Sequence, residues 1–243
     1  MDNCAFISKT LFFPEKGILA VGDLHVGYEH MMIKFGVAVP ETQVDGIIDD
    51  FKKIFQELKD KKYKLKKIVF LGDIKHYFNY EWKERFNFNR VLEFLKQTVK
   101  DSDIILVKGN HDKFDFSGKK MKNYYISGDI AFFHGHKMFP QILQEKVKTI
   151  VLGHLHPSIL LADKANVKRE KYKCFLVGKF QGKETIIVPS FFGIIEGSAV
   201  NDERYRPEEG FSAIDPKLLD NFEAHIIGDD GKVYNFGKVR KLR

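Results

Sequence analysis

Five short clusters hold seven of the nine histidines in this chain, each beside a glycine. They are GDLH at 22–25, GDIKH at 72–76, GNHD at 109–112, HGH at 134–136 and GHLH at 153–156. Among them Asp23, His25, Asp73, Asn110, His134, His154 and His156 offer carboxylate, imidazole and amide-oxygen donors, with no thiolate. Such donors suit Mn2+, Fe2+, Co2+, Ni2+ or Zn2+. Seven are too many for one ion that keeps an open position. They suit two ions that share a carboxylate. A single Asp-x-His means little, and His30 or His225 alone reads as a surface or packing residue. Five such clusters do not read as packing, because unpaired buried imidazoles and carboxylates would destabilise a core.

Each cluster follows a short apolar run: 18–21, 68–71, 104–107, 130–133 and 150–152. Runs of this length and composition read as buried strands. Ligands at the carboxyl ends of successive strands are where an open α/β sheet places its site. An Asp-x-His pair at a strand end would aim both side chains one way, since the strand period is two, and so would His154 and His156.

Between the clusters, residues 4–21 read as two strands and 27–39 as a loop or short helix. A helix opens near Pro40 or Thr42 and buries Val44, Ile47, Ile48, Phe51, Ile54, Phe55 and Leu58 at three- and four-residue spacing. Residues 77–89 are aromatic-rich, with Trp82 and Arg85. They either line a substrate cleft or seat a loop on the core. Asn87 or Asn89 would cap a further helix on Val91, Leu92 and Leu95. A short strand at 124–126 and a short helix over 139–147 follow. Beyond His156 the chain reads as mostly antiparallel strands at 159–161, 173–177, 185–188, 211–214, 223–227 and 233–236, with a hairpin turn at 229–231. No Ser/Gly/Pro linker precedes them. Residues 1–243 are therefore expected to form one domain, with a second sheet packed on the first.

Forty Lys and Arg against 33 Asp and Glu leave a formal charge of +7, which permits an anionic partner without requiring one. The run KDKKYKLKK at 59–67 reads either as a nucleic-acid contact or as a solvated helix end. Two cysteines, Cys4 and Cys174, indicate neither a disulfide framework nor a thiolate metal site. No apolar stretch reaches the ~18 residues of a membrane span, and the amino terminus lacks the pattern of a secretion signal. A reducing, cytoplasmic setting is expected.

Taken together, the clusters resemble the signature of the calcineurin-like metallophosphoesterase superfamily: D-x-H, G-D-x-x-D, G-N-H-D/E, H and G-H-x-H, in that order from Asp23 to His156. The GDLH opening and the HPSILL continuation are similar to the SbcD-related branch, which includes phosphoesterases associated with DNA ligases. The resemblance implies an α/β fold, a four-layer α/β/β/α sandwich of two packed mixed sheets, here without a capping domain. It implies a dinuclear centre, with Mn2+ foremost and Fe2+, Ni2+ or Zn2+ as alternatives. Asp23, His25 and His156 would hold one ion, Asn110, His134 and His154 the other, and Asp73 would bridge them. His111 would face the substrate, and Asp112 would orient His111 and favour its protonated form. Gly109 and Gly153 would let the backbone turn tightly beside the ions. His76 stands where the signature has Asp; it would support the ligands or touch phosphate. His136 would hydrogen-bond to the site or fill space. The implied activity is phosphodiester hydrolysis, with DNA or RNA as candidate substrates and a homodimer as a candidate assembly. Hydrolysis of small or cyclic nucleotides, and a non-catalytic metal-containing subunit, are the alternatives.

Overall fold

The computed structural model describes the whole chain except residues 1–2, 78–80, 114, 116–117, 164–166, 203 and 206–209. Its first sheet has five strands in sequence order: β1 (Ala5–Ile7), β2 (Thr10–Phe13), β3 (Ile18–Val21), β4 (Lys67–Phe70) and β5 (Ile104–Leu106). The first three pair antiparallel, and β3, β4 and β5 pair parallel. Residues 4–21 thus form three strands where two were expected.

Among the described residues three α-helices accompany this sheet: α1 (Tyr28–Lys34), α2 (Gln43–Asp60) and α3 (Trp82–Lys96). Val44, Ile47, Phe51, Ile54 and Leu58 of α2 pack with Phe88, Val91, Leu92 and Leu95 of α3 on one face of the sheet. Alternation along the strands sorts the rest. Leu19, Val21, Ile68 and Phe70 meet the helices, while Ile18, Ala20 and Val69 face the second sheet. Strands buried on both faces read as unbroken apolar runs.

α3 starts at Trp82, well before the expected Asn caps. Its buried Glu84 accepts the backbone N–H groups of His76 at 3.0 Å and Tyr77 at 2.7 Å. Those bonds anchor the first turn, so it needs no apolar contact and leaves no apolar period to read. The aromatic segment divides: Phe88 is buried, Trp82 and Phe86 are exposed, and 78–80 lie outside the described residues.

The remaining strands are β6 (Tyr124–Ser127), β7 (Ile130–Phe133), β8 (Thr149–Leu152), β9 (Pro157–Ala162), β10 (Arg169–Phe180), β11 (Lys183–Ile187), β12 (Ser198–Ala199), β13 (Glu223–Ile227) and β14 (Val233–Lys238). They form one nine-stranded mixed sheet, in which β7, β8 and β11 are mutually parallel. The second sheet therefore begins before His134, not after His156. Its inner face presents Phe132, Val151, Phe175 and Val188 to the first sheet. Its outer face is covered by 3-10 turns at Pro140–Leu143, Pro216–Asn221 and Val239–Lys241, whose Ile142, Leu219 and Val239 are buried there. The two mixed sheets pack face to face, with α-helices on the outer face of the first and, among the described residues, 3-10 turns in place of the expected α layer on the outer face of the second.

Two other expectations change. Residues 139–147 hold only the 3-10 turn, because Gln144 is already extended. Residues 211–214 are not a strand: Ala213 donates to the Gly135 carbonyl at 2.8 Å, and the Phe211 carbonyl faces His154, so their backbone serves a site loop.

Candidate metal centre

The seven candidate donors converge from both sheets. Asp23 and His25 follow β3, Asp73 follows β4 and Asn110 follows β5; His134 follows β7, and His154 and His156 follow β8. The site thus lies across the end of a sandwich, not along the edge of one open sheet. Strand alternation does not aim these side chains either. His25, Asp73, His154 and His156 have φ of 45°, 44°, 68° and 44°. Left-handed backbone is uncommon outside glycine and costs about 1–3 kcal/mol per residue, so the surrounding structure must hold it. Part of that hold is visible: Leu24 and His25 donate to the Asp73 carbonyl at 3.2 and 3.0 Å, and Val26 donates to Ile74 at 2.8 Å.

Two groups of donors meet at Asp73. In one, Asp23, His25 and His156 converge, with His25 Nε2 3.4 Å from His156 Nε2 and Asp23 Oδ1 3.5 Å from His156 Nε2. In the other, His134 Nε2 lies 3.0 Å from both Asn110 Oδ1 and His154 Nδ1. Asp73 Oδ2 sits between the groups, 4.0 Å from His25 Nε2 and 3.3 Å from His134 Nε2. His154 and His156, two residues apart, therefore enter different groups.

Burial alone would push the Asp23 carboxyl up, but His156 and His134 beside it hold it at about 2. Asp73 is likewise driven below the usual carboxylate range by His134, His25 and His111, against burial. His25 is pushed down to about 3 and His154 to about 4, mainly by burial, so both present neutral nitrogens. His134 moves the other way. Burial opposes its charge, yet Asp73 and Asp23 raise it to about 9. Two buried carboxylates thus retain a proton on the imidazole between them. A divalent cation supplies that charge better and releases the proton. The donor set fits divalent ions.

A raised histidine pKa contributes stability that is complete below its ordinary value of about 6.5 and lost as pH rises through about 9. The Tm of the metal-free protein is expected to fall between pH 6.5 and 9.5. Metal loading or His134→Asn should flatten that slope.

His111 donates from Nδ1 to the His76 carbonyl, which leaves Nε2 3.9 Å from Asp73 Oδ2. Asp112 was expected to orient His111. Its buried carboxylate instead accepts the backbone N–H groups of Gly109, Ile74 and Lys75 at 3.0, 3.3 and 3.4 Å, and so ties the Asp73 loop to the Asn110 loop. His76 Nδ1 lies 3.4 Å from His25 Nδ1, behind the nitrogen that His25 aims at the centre. His136 lies at the wall, its ring tilted against that of His134 at 5.3 Å between centroids, and its buried Nδ1 has no hydrogen-bond partner among the described residues.

Gly109 is required by close approach. A Cβ there would lie 2.1 Å from Asp73 Oδ1 and 2.3 Å from Asp73 N. Gly109→Ala is expected to displace Asp73, lowering metal content and costing about 1–3 kcal/mol of stability. Metal analysis and denaturant melts would check this.

The calcineurin-like phosphoesterase family matches residues 17–206, which span every cluster above. The chain belongs to that family. No curated protein sequence matches it. Among solved structures it is similar to the nuclease MPE of Pseudomonas putida, at 15% identity and a TM-score of 0.60, covering 95% of this chain and 93% of that one. It also matches vacuolar protein sorting 29 of Cryptosporidium parvum (16% identity, TM-score 0.40, 91% and 97% covered) and a predicted phosphoesterase of Streptococcus pneumoniae (13%, 0.35, 91% and 97%).

Three supports of this phosphoesterase centre left no mark in the cluster pattern. Ser190 Oγ donates to the Asp23 carbonyl at 3.1 Å, and Phe192 N donates to it at the same distance. Lys173 pins that segment through the carbonyls of Ser190 and Phe192. Phe211 stacks on His154 at 4.5 Å between ring centroids and turns its carbonyl to His154 Nε2 at 2.6 Å. Only a lysine leading directly into the apolar run of a strand could have hinted at the second.

Proposed function

We propose that this chain is a two-metal phosphodiesterase acting on nucleic acid, of the SbcD-related branch and cytoplasmic. The observation that carries the reading is Asp73 Oδ2, placed within reach of both donor groups. Bound there, two divalent ions, Mn2+ the first to try, supply Lewis acidity toward a phosphoryl oxygen and acidify water. Asp73 joins the two halves. His111, held at Nδ1, presents Nε2 to the space beside them, where it can stabilise charge or protonate a leaving oxygen.

The neighbour of shared fold is a nuclease, which puts nucleic acid first among the substrates to test. The basic run at 59–67 gives no support: it lies at the amino ends of the strands, opposite the centre. Cys4 and Cys174 are unbonded, and no helix among the described residues is long and apolar enough to cross a membrane.

The test is a panel of substrates with Mn2+-loaded protein: bis-p-nitrophenyl phosphate, p-nitrophenyl phosphate, single-stranded DNA and 2′,3′-cyclic nucleotides. Cleavage of the diester and of DNA, with activity on DNA falling steeply as salt rises, supports the proposal. Turnover confined to small nucleotides would replace it with nucleotide metabolism. Bound metal with no turnover would make the chain a non-catalytic subunit.

A further inference from the structure

Helix α3 has two unlike faces. Phe88, Val91, Leu92 and Leu95 are buried, while Trp82 is 63% exposed, Phe86 58% exposed, and Arg85 between them is exposed as well. Trp82 and Phe86 stand one turn apart, with ring centroids 6.5 Å from each other. Spacings of three and four residues put Trp82, Arg85 and Phe86 on one side. Phe35, 77% exposed, joins them from the end of α1, where Lys34 pairs with Glu81 at 2.6 Å immediately before Trp82. Large aromatic rings are mostly buried, so three exposed on adjoining elements mark a contact surface.

This rim is joined to the metal centre by short links. Glu84, in the same turn as Trp82, holds the backbone of His76 and Tyr77. Tyr28, which opens α1, packs against the His76 ring at 5.0 Å between centroids.

We propose that Trp82, Phe86, Arg85 and Phe35 form a stacking surface for single-stranded nucleic acid entering the centre. This rests on the nucleic-acid reading above and deepens it. Aromatic rings interleaved with an arginine suit that occupant: unpaired bases stack on the rings whatever their sequence, and the guanidinium meets phosphate or a base face. The charge around the rim agrees. Glu81, Glu41 and Asp45 are each taken up by a cation, Lys34, Lys83 and Arg90, all at 2.6 Å, and Glu84 is buried. No uncompensated carboxylate among these four confronts an incoming phosphate.

Trp82 is the only tryptophan in the chain, so its emission reports this surface alone. Metal-loaded protein would be titrated with a phosphorothioate oligothymidine, which resists hydrolysis. Quenching that weakens with salt and is much smaller with a duplex is expected. The Trp82→Ala/Phe86→Ala variant should raise KM for a single-stranded oligonucleotide about tenfold or more. It should leave kcat/KM for bis-p-nitrophenyl phosphate unchanged, and Trp82→Phe should retain most of the affinity. Unchanged emission at saturating oligonucleotide, or an unchanged oligonucleotide KM in the double variant, would overturn the proposal. A dimer that the double substitution dissociates, with that KM unchanged, would make the rim a contact between copies. The small diester probes the centre alone, so failure of the stacking surface and failure of the phosphodiesterase reading are separable.

Discussion

Asp73→Ala is expected to strip metal from both halves of the centre and to lower kcat by about 10³-fold or more, the scale on which removing a preorganised charge-stabilising group acts. Asp73 Oδ2 lies 4.0 Å from His25 Nε2 and 3.3 Å from His134 Nε2, whereas Asp23 Oδ1, 3.5 Å from His156 Nε2, meets His134 only at Nδ1, the nitrogen that faces the Leu71 carbonyl. Its loss does more than remove a ligand. Asp73 Oδ1 also accepts the His111 backbone N–H at 2.9 Å, so the loop carrying Asn110 and His111 loses an anchor. His134 is held protonated chiefly by Asp73, and without that carboxylate it should titrate nearer its ordinary value. Metal content by elemental analysis and turnover of bis-p-nitrophenyl phosphate measure the effect. Two retained ions with normal turnover would sink the bridging assignment.

His111→Ala is expected to leave metal content intact while kcat falls about 10²- to 10³-fold, as for loss of a positioned acid. The His76 carbonyl fixes the ring through Nδ1, and Nε2 is left facing the centre. The choice of leaving group sharpens the test. p-Nitrophenolate leaves readily without a proton, whereas a nucleoside alkoxide does not. The loss should therefore be larger for DNA than for bis-p-nitrophenyl phosphate if His111 protonates the leaving oxygen, and similar for both if it only stabilises charge. The donor atoms of His25, His76 and His111 also lie within 4.8 Å of one another. A fall in metal content on His111→Ala would recast His111 as a ligand and remove its role toward substrate.

Much of this was legible in the amino-acid order, because local signals carried it. Apolar runs of three or four residues mark strands buried on both faces, and the three- and four-residue spacing from Val44 to Leu58 marks α2. A glycine beside a carboxylate or imidazole, repeated at five strand ends, marks the donors. The start of α3 was not legible. Its first turn is secured by one buried carboxylate, Glu84, bonded to backbone eight and seven residues upstream, and nothing in the local composition announces such a bond. Residues 211–214 have a strand's composition, but their backbone is drawn off by Gly135 and His154 from distant parts of the chain.

The sequence by itself determined the donor types, their order, the family and the two-sheet class, since these depend on side-chain chemistry and short-range periodicity. The family resemblance already implied how the donors are shared between two ions; only the tertiary structure decided the backbone and sheet arrangement that achieves it. It put β7 and β8 in the second sheet, so the centre spans both, and it sent His154 and His156 to different groups through left-handed backbone at each. It also turned Asp112 toward three backbone amides and set Ser190 and Lys173 behind Asp23. The reason is the same each time: these contacts join residues brought together by strand register and sheet packing, and separation along the chain does not encode which loop will lie against which.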